Sequence, residues 1–314
     1  MITRRQFAQT ALAALPAASA FARPKSSDFG GVEVGIIAPY AFRGTADDAD
    51  VILDKIVKLG LHHVELQSPP AEKYAGAPQP PPRGPRGQEP TQAQLDARKA
   101  YGEAITEWRI SAPMDKFVEL RKKYDKAGVE IQIVKFGMGA DTPDEELDYY
   151  FKVAKALKCR AITSEPPLST VPRLAKFAEK HKIMLAFHGH SNMTDAEKFA
   201  APASWEKAFT SSKYIGANID IGHFTAGNSK SPADFITKYH DRIPAIHLKD
   251  RKVDQGPNMP WGEGDTQITE ILQLIQREKW DIMPTIELEY PVPDGSNVMA
   301  ELEKCVTYCK KALA

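Results

Sequence analysis

Eight short apolar runs recur along the chain, at 32–37, 62–66, 129–134, 160–165, 183–190, 215–220, 246–250 and 282–289. Each is followed by a helix-length stretch, at 46–59, 114–127, 143–157, 171–181, 204–210, 232–239, 268–278 and 298–313. Runs this short and this apolar are unsuited to facing water, so they belong in a parallel sheet covered by helices. Right-handed crossovers close eight such units into a (β/α)8 TIM barrel, a single domain over 32–314. A doubly wound open sheet would need a glycine-rich phosphate loop after the first strand, and Ala38-Pro39-Tyr40-Ala41-Phe42 is not one.

One stretch interrupts the alternation. The insertion at 68–110 follows the second strand; 68–90 is dense in proline and glycine and reads as an irregular surface segment, with a helix expected over 91–108. Its position leaves three roles open: a lid over the site, a contact in a homo-oligomer, or a plain solvated loop. Ahead of the barrel, Thr3-Arg4-Arg5-Gln6-Phe7 is a twin-arginine signature, and an apolar run from Ala8 to Ala20 ends in small residues suited to signal peptidase. The reading is a signal peptide over 1–22, a linker over 23–31, and a periplasmic or secreted mature chain. The 41 basic and 41 acidic residues balance, which removes the electrostatic case for nucleic acid or for an anionic membrane surface. Cys159, Cys305 and Cys309 read as small buried residues rather than a disulfide framework.

The chemistry gathers where strands end. Glu165, Asp220, His247 and Glu287 lie on the fourth, sixth, seventh and eighth runs, at the end of the sheet where barrel active sites are built. Three carboxylates and one imidazole form an oxygen-rich set suited to one divalent ion, Mn²⁺ first, with Mg²⁺, Co²⁺ or Zn²⁺ as alternatives. His188 and His190 share a face of the fifth run and are candidates for substrate or ligand-supporting hydrogen bonds, while Lys249, Trp261 and Glu263 are candidates to line the pocket. Each of these residues alone also has a plain structural reading.

Glu165, Asp220-x-x-His223, His247-Leu-Lys-Asp250, Gly262-Glu-Gly264 and Ile286-Glu287 together resemble the xylose-isomerase-like barrel superfamily, and within it the sugar phosphate isomerase/epimerase group. The resemblance covers about residues 30 to 313. It implies metal ligation by Glu165, Asp220, His247 and Glu287, substrate contact by His223, and an acid/base role for Glu165 and Glu287 on opposite faces of a sugar. The arginine that keto-sugar epimerases carry six residues after the metal-binding histidine is absent, since Val253 stands there. The implied activity is isomerisation or epimerisation of a small carbohydrate or polyol, by proton abstraction beside a carbonyl through an enediolate. A lyase or dehydratase acting on a keto-sugar or 3-keto-glycoside is the alternative, and a non-catalytic sugar-binding protein a third reading. A repair endonuclease on the related barrel would need more ligands and a basic face.

Overall fold

The computed structural model describes residues 28–43, 48–82, 84 and 88–314. The expected signal peptide lies outside the described residues, as does Thr45, the expected cap of the first helix. Asp48 caps the helix Ala49–Lys58, its carboxylate accepting the amides of Asp50 and Val51.

Eight parallel strands form a closed barrel in the order β8-β1-β2-β3-β4-β5-β6-β7. They are β1 Gly35–Ala38, β2 His63–Gln67, β3 Glu130–Lys135, β4 Ala161–Ser164, β5 Met184–His188, β6 Ile215–Asp220, β7 Ala245–Leu248 and β8 Met283–Ile286. The first apolar run is split: Val32–Glu33 pairs antiparallel with Asp28–Phe29 before β1 enters the barrel.

Alternation along the strands makes two apolar cores. Outward residues such as Val64, Leu66, Ile162, Phe187, Ile219, Ile246 and Ile286 pack beneath the helices in one continuous cluster. Inside the barrel, Ile133, Ala161, Ala245 and Met283 form a separate small cluster. Two residues further along the same faces stand Lys135, Thr163, His247 and Thr285, so the lumen changes from apolar to polar toward the carboxyl ends of its strands.

The outer helices follow the sequence pattern. The helix Ile268–Glu278 buries Ile268, Ile271, Leu272 and Ile275, one stripe at helical spacing, each side chain worth roughly 1.5–3 kcal/mol of transfer free energy. Leu272→Ala would cost about 2–5 kcal/mol by opening a cavity between this helix and the sheet. The three cysteines are free and buried, and among the described residues no helix is long and apolar enough to cross a membrane.

The insertion departs from expectation. Ser68–Tyr74, read as irregular, is a helix, because Pro69 and Pro70 fall in its first turn, where a missing amide proton has no partner to lose. The later helix runs Gln92–Ser111 and opens with a capping box between Thr91 and Gln94. It docks on the outer wall. Arg109, with its side chain 17% exposed, binds Glu72 in a fork at 2.7 and 3.0 Å and Glu146 at 2.7 Å. Glu72 also accepts the Tyr149 hydroxyl at 3.1 Å, and Glu146 those of Thr106 at 2.8 Å and of Tyr150. The helix is thus anchored to the preceding insertion helix through Glu72 and to the barrel's outer helix Asp144–Ala156 through Glu146 and Tyr150.

Candidate metal centre

Asp220 ends β6 and caps the helix Ile221–Asn228, an element absent from the expected order. Its Oδ1 accepts the amide of His223 at 2.8 Å, which is why the two residues stand three apart: a cap and the third residue of its helix. The other oxygen is left facing the barrel axis. Gly222 has its own cause, since a Cβ there would lie 2.8 Å from the Lys249 backbone oxygen.

At the carboxyl end of the barrel, one ligand-capable atom from each of His188, Asp220, His247 and Glu287 lies within 4.8 Å of the others, and all four residues are buried. Glu165 does not join them. Its carboxylate is held by Lys135 at 2.5 Å and His190 at 2.9 Å, nearer the solvent, and with His188 and His190 it forms a second ligand-capable group. The two groups share His188. Its ring centre is 4.5 Å from that of His247 and 5.0 Å from that of His190.

The charges explain the protonation states. Burial pushes the Asp220 carboxyl up to about 6, with Glu287 adding to the rise and Lys249 opposing it. Burial opposes protonation of His247, but the carboxylates of Glu65 and Glu287 on its two nitrogens prevail and hold it up to about 10. Burial works against ionised Glu287 too, yet Lys249 and His247 keep it well below the usual carboxylate range. Burial and the nearby Lys135 keep His188 neutral at ordinary pH. His223, half-buried between Lys249 and Arg251, is driven down to about 2 by desolvation and by Lys249, so its ring is neutral at ordinary pH. Burial would also disfavour charge on Glu165, but His190 and Lys135 bring it down to about 2.

Lys249 is buried among the carboxylates, its Nζ 2.8 Å from Asp220, 3.0 Å from Glu287 and 2.6 Å from Glu289. Asp220 Oδ2 is thus ion-paired to the Lys249 ammonium, its closest ion-pair partner among the described residues. Unpaired buried polar atoms cost free energy, about 1–3 kcal/mol each, and His188 Nδ1, in the ligand-capable group, and Asn218 Oδ1, whose amide neighbours His247, are two of them. Two imidazoles and two carboxylates fit a divalent ion in donor type and number.

The rim is organised by Asp250, whose carboxylate accepts the amides of Gly262 at 2.8 Å, Gly264 at 2.9 Å and Thr266 at 3.1 Å. The glycines of Gly262-Glu-Gly264 therefore serve loop closure, and at Gly264 a Cβ would collide with Asp250 itself. Trp261 packs edge-on against Tyr308 at 5.7 Å, and Glu263 is exposed. No hydrogen bond or ion pair among the described residues joins either to the ligand-capable cluster.

Four residues at the site had no place in the sequence reading: Glu65, Lys135, Glu289's partner Tyr40, and Asn218 as a hydrogen-bonding group. Glu65 could have been found, because a carboxylate between Val64 and Leu66 in a buried strand is costly without a specific partner.

Residues 168–307 match the family model described as AP_endonuc_2, Xylose isomerase-like TIM barrel. Among solved structures, the chain is similar to a sugar phosphate isomerase/epimerase from Parabacteroides distasonis, at 15% identity and TM-score 0.55, over 88% of this chain and 95% of that one. It is similar to the probable 3-DHS dehydratase AsbF from Bacillus anthracis at 11% identity and TM-score 0.61, over 88% and 98%. A third is IOLI protein with a binding zinc atom, at 12% identity and TM-score 0.59, over 88% and 96%. At these identities the likeness is one of fold. No curated protein matches the chain.

Proposed function

We propose that this protein is a divalent-metal-dependent enzyme that isomerises or epimerises a small, unphosphorylated sugar or polyol. The observation that carries the reading is the buried cluster of His188, Asp220, His247 and Glu287, with the unpartnered Nδ1 of His188, at the carboxyl end of the barrel. In this reading these four residues hold the ion, with His188 in the role the family resemblance gave to Glu165. Two nitrogen and two oxygen donors suit Zn²⁺ or Co²⁺ as well as Mn²⁺. A bound ion would supply Lewis-acid polarisation of a substrate carbonyl, which eases removal of a proton from the neighbouring carbon.

The chain supplies the rest. Glu287, ionised and buried, is the base on the inner side. Glu165, on the outer side with His190 and Lys135, is the second proton-transfer group. His223 offers a neutral ring to substrate hydroxyls, and Glu289, steadied by Tyr40 at 2.5 Å and Lys249, accepts from another. A neutral substrate is favoured because Lys135, Lys249 and Arg251 are all engaged: Lys135 by Glu165, Lys249 by Asp220, Glu287 and Glu289, and Arg251 by Ser191, His223 and Gly256. Export through the twin-arginine signal would place such an enzyme among unphosphorylated sugars.

A second reading, elimination from a keto-sugar or 3-keto-glycoside, is favoured by the asymmetry of the two sides. A buried base faces a half-exposed Glu165–His190 pair, which could protonate a departing group. Metal-loaded protein in D₂O, offered ketoses and 3-keto-glycosides and followed by NMR, tests both. Deuterium at a carbon beside the carbonyl of intact sugar is expected for isomerisation or epimerisation, and an unsaturated product for elimination. Neither, across the substrate panel, would leave a binding protein.

A further inference from the structure

We infer that Glu65 is the residue that positions His247 to bind the metal, through a polar layer that four strands build beneath the ligand cluster. The inference rests on the metal-centre reading above. Glu65 lies in the middle of β2, is 0% exposed, and points into the lumen. Its Oε2 is 2.8 Å from His247 Nε2 on β7 and 3.2 Å from Asn218 Nδ2 on β6, while its Oε1 accepts the Thr163 hydroxyl on β4 at 2.6 Å. β2, β4 and β6 are alternate strands, the set that contributes side chains to one layer of such a barrel. Here the layer is polar and sits just above the apolar cluster of Ile133, Ala161, Ala245 and Met283.

The direction of the imidazole gives the layer its purpose. His247 Nδ1 lies 2.9 Å from Glu287 Oε2, so that nitrogen faces the ligand cluster and Nε2 faces Glu65. A carboxylate accepting Nε2–H fixes the ring plane and leaves Nδ1 as the atom an ion would take, in place of the proton it shares with Glu287. Thr163 and Asn218 hold the carboxylate in turn. A purely structural Glu65 would be an odd choice, because an apolar side chain of similar size would fill the lumen without burying a charge.

The test measures Zn²⁺ and Co²⁺ affinity of the purified full chain by competition titration, with the visible spectrum of the Co²⁺ form as a readout of ligand geometry. Glu65→Ala is expected to lose roughly 10- to 100-fold in affinity and to alter the Co²⁺ bands. Glu65→Gln keeps an acceptor oxygen for Nε2–H and is expected to recover most of the loss. Should Glu65→Ala not fold, Thr163→Val, which frees one oxygen of Glu65, is read in its place and is expected to weaken binding several-fold. Wild-type affinity and spectrum in the variant that folds would overturn the inference alone. Absence of binding by the wild type would overturn the metal-centre reading, and the inference with it.

Discussion

Two buried charge networks in this molecule use the same kinds of side chain to opposite ends. On the barrel's flank, Arg109 bonds both Glu72 and Glu146, and Tyr149, Tyr150 and Thr106 complete the carboxylates, with no unpartnered atom among these six residues. At the mouth, His188 and Asn218 each keep a buried atom without a hydrogen-bond partner although cations and imidazoles crowd around them. A closed network is what a fold needs to pin an insertion to its scaffold. An open one leaves free energy unrealised in the protein alone, and a ligand can recover it.

The largest expected difference is in metal content. Asp220→Ala and His247→Ala should each lose the bound ion, because removing one of four ligands leaves the others' charges mismatched, whereas Arg109→Leu should retain full occupancy by metal analysis. Stability should divide the other way. Arg109→Leu strands two buried carboxylates and should cost about 3–5 kcal/mol in denaturant unfolding, while a triple change of Arg109, Glu72 and Glu146 to leucine should regain much of that loss. Equal metal loss in Arg109→Leu would erase the distinction between the two networks.

A smaller effect separates ligation from proton transfer within the open network. An amide can coordinate through its oxygen but cannot take a proton, so Glu287→Gln at saturating metal should lose roughly 10²- to 10⁴-fold in solvent-deuterium exchange into substrate. Glu165→Gln should keep exchange yet lower turnover. Near-normal turnover in both would move the proton-transfer roles to other groups. The smallest effect is on the pH dependence of the metal-free protein. Glu165 is depressed from its usual 4.5 to about 2, so its pairing with Lys135 and His190 stabilises the fold above pH 4.5 and is lost as pH falls toward 2. Glu165→Gln should flatten the acid limb of a thermal-melting profile over that window.

The barrel was legible because its strands are short, apolar and evenly spaced by helices, and both shells of core follow from alternation. Asp220, His247 and Glu287 could be singled out because they lie on apolar strands at one end of the sheet. The partition between His188 and Glu165 was not legible. Both stand at the carboxyl ends of neighbouring strands, and which one reaches the axis depends on stagger around the barrel, which spacing does not encode. Glu65 is less legible because it lies in mid-strand, below the level of the strand ends. The helix Ser68–Tyr74 is masked in the sequence by its prolines, which break a helix interior but are tolerated in the first turn, where Pro69 and Pro70 stand.

The central claim is that His188, Asp220, His247 and Glu287 together hold a divalent ion. A crystal of the Co²⁺-loaded protein, measured at the cobalt absorption edge, tests it directly. A single anomalous peak with nitrogen or oxygen atoms of all four residues at about 2.0–2.2 Å is the expected result. A peak bound instead by Glu165 and His190, or none in protein that takes up cobalt in solution, would contradict it.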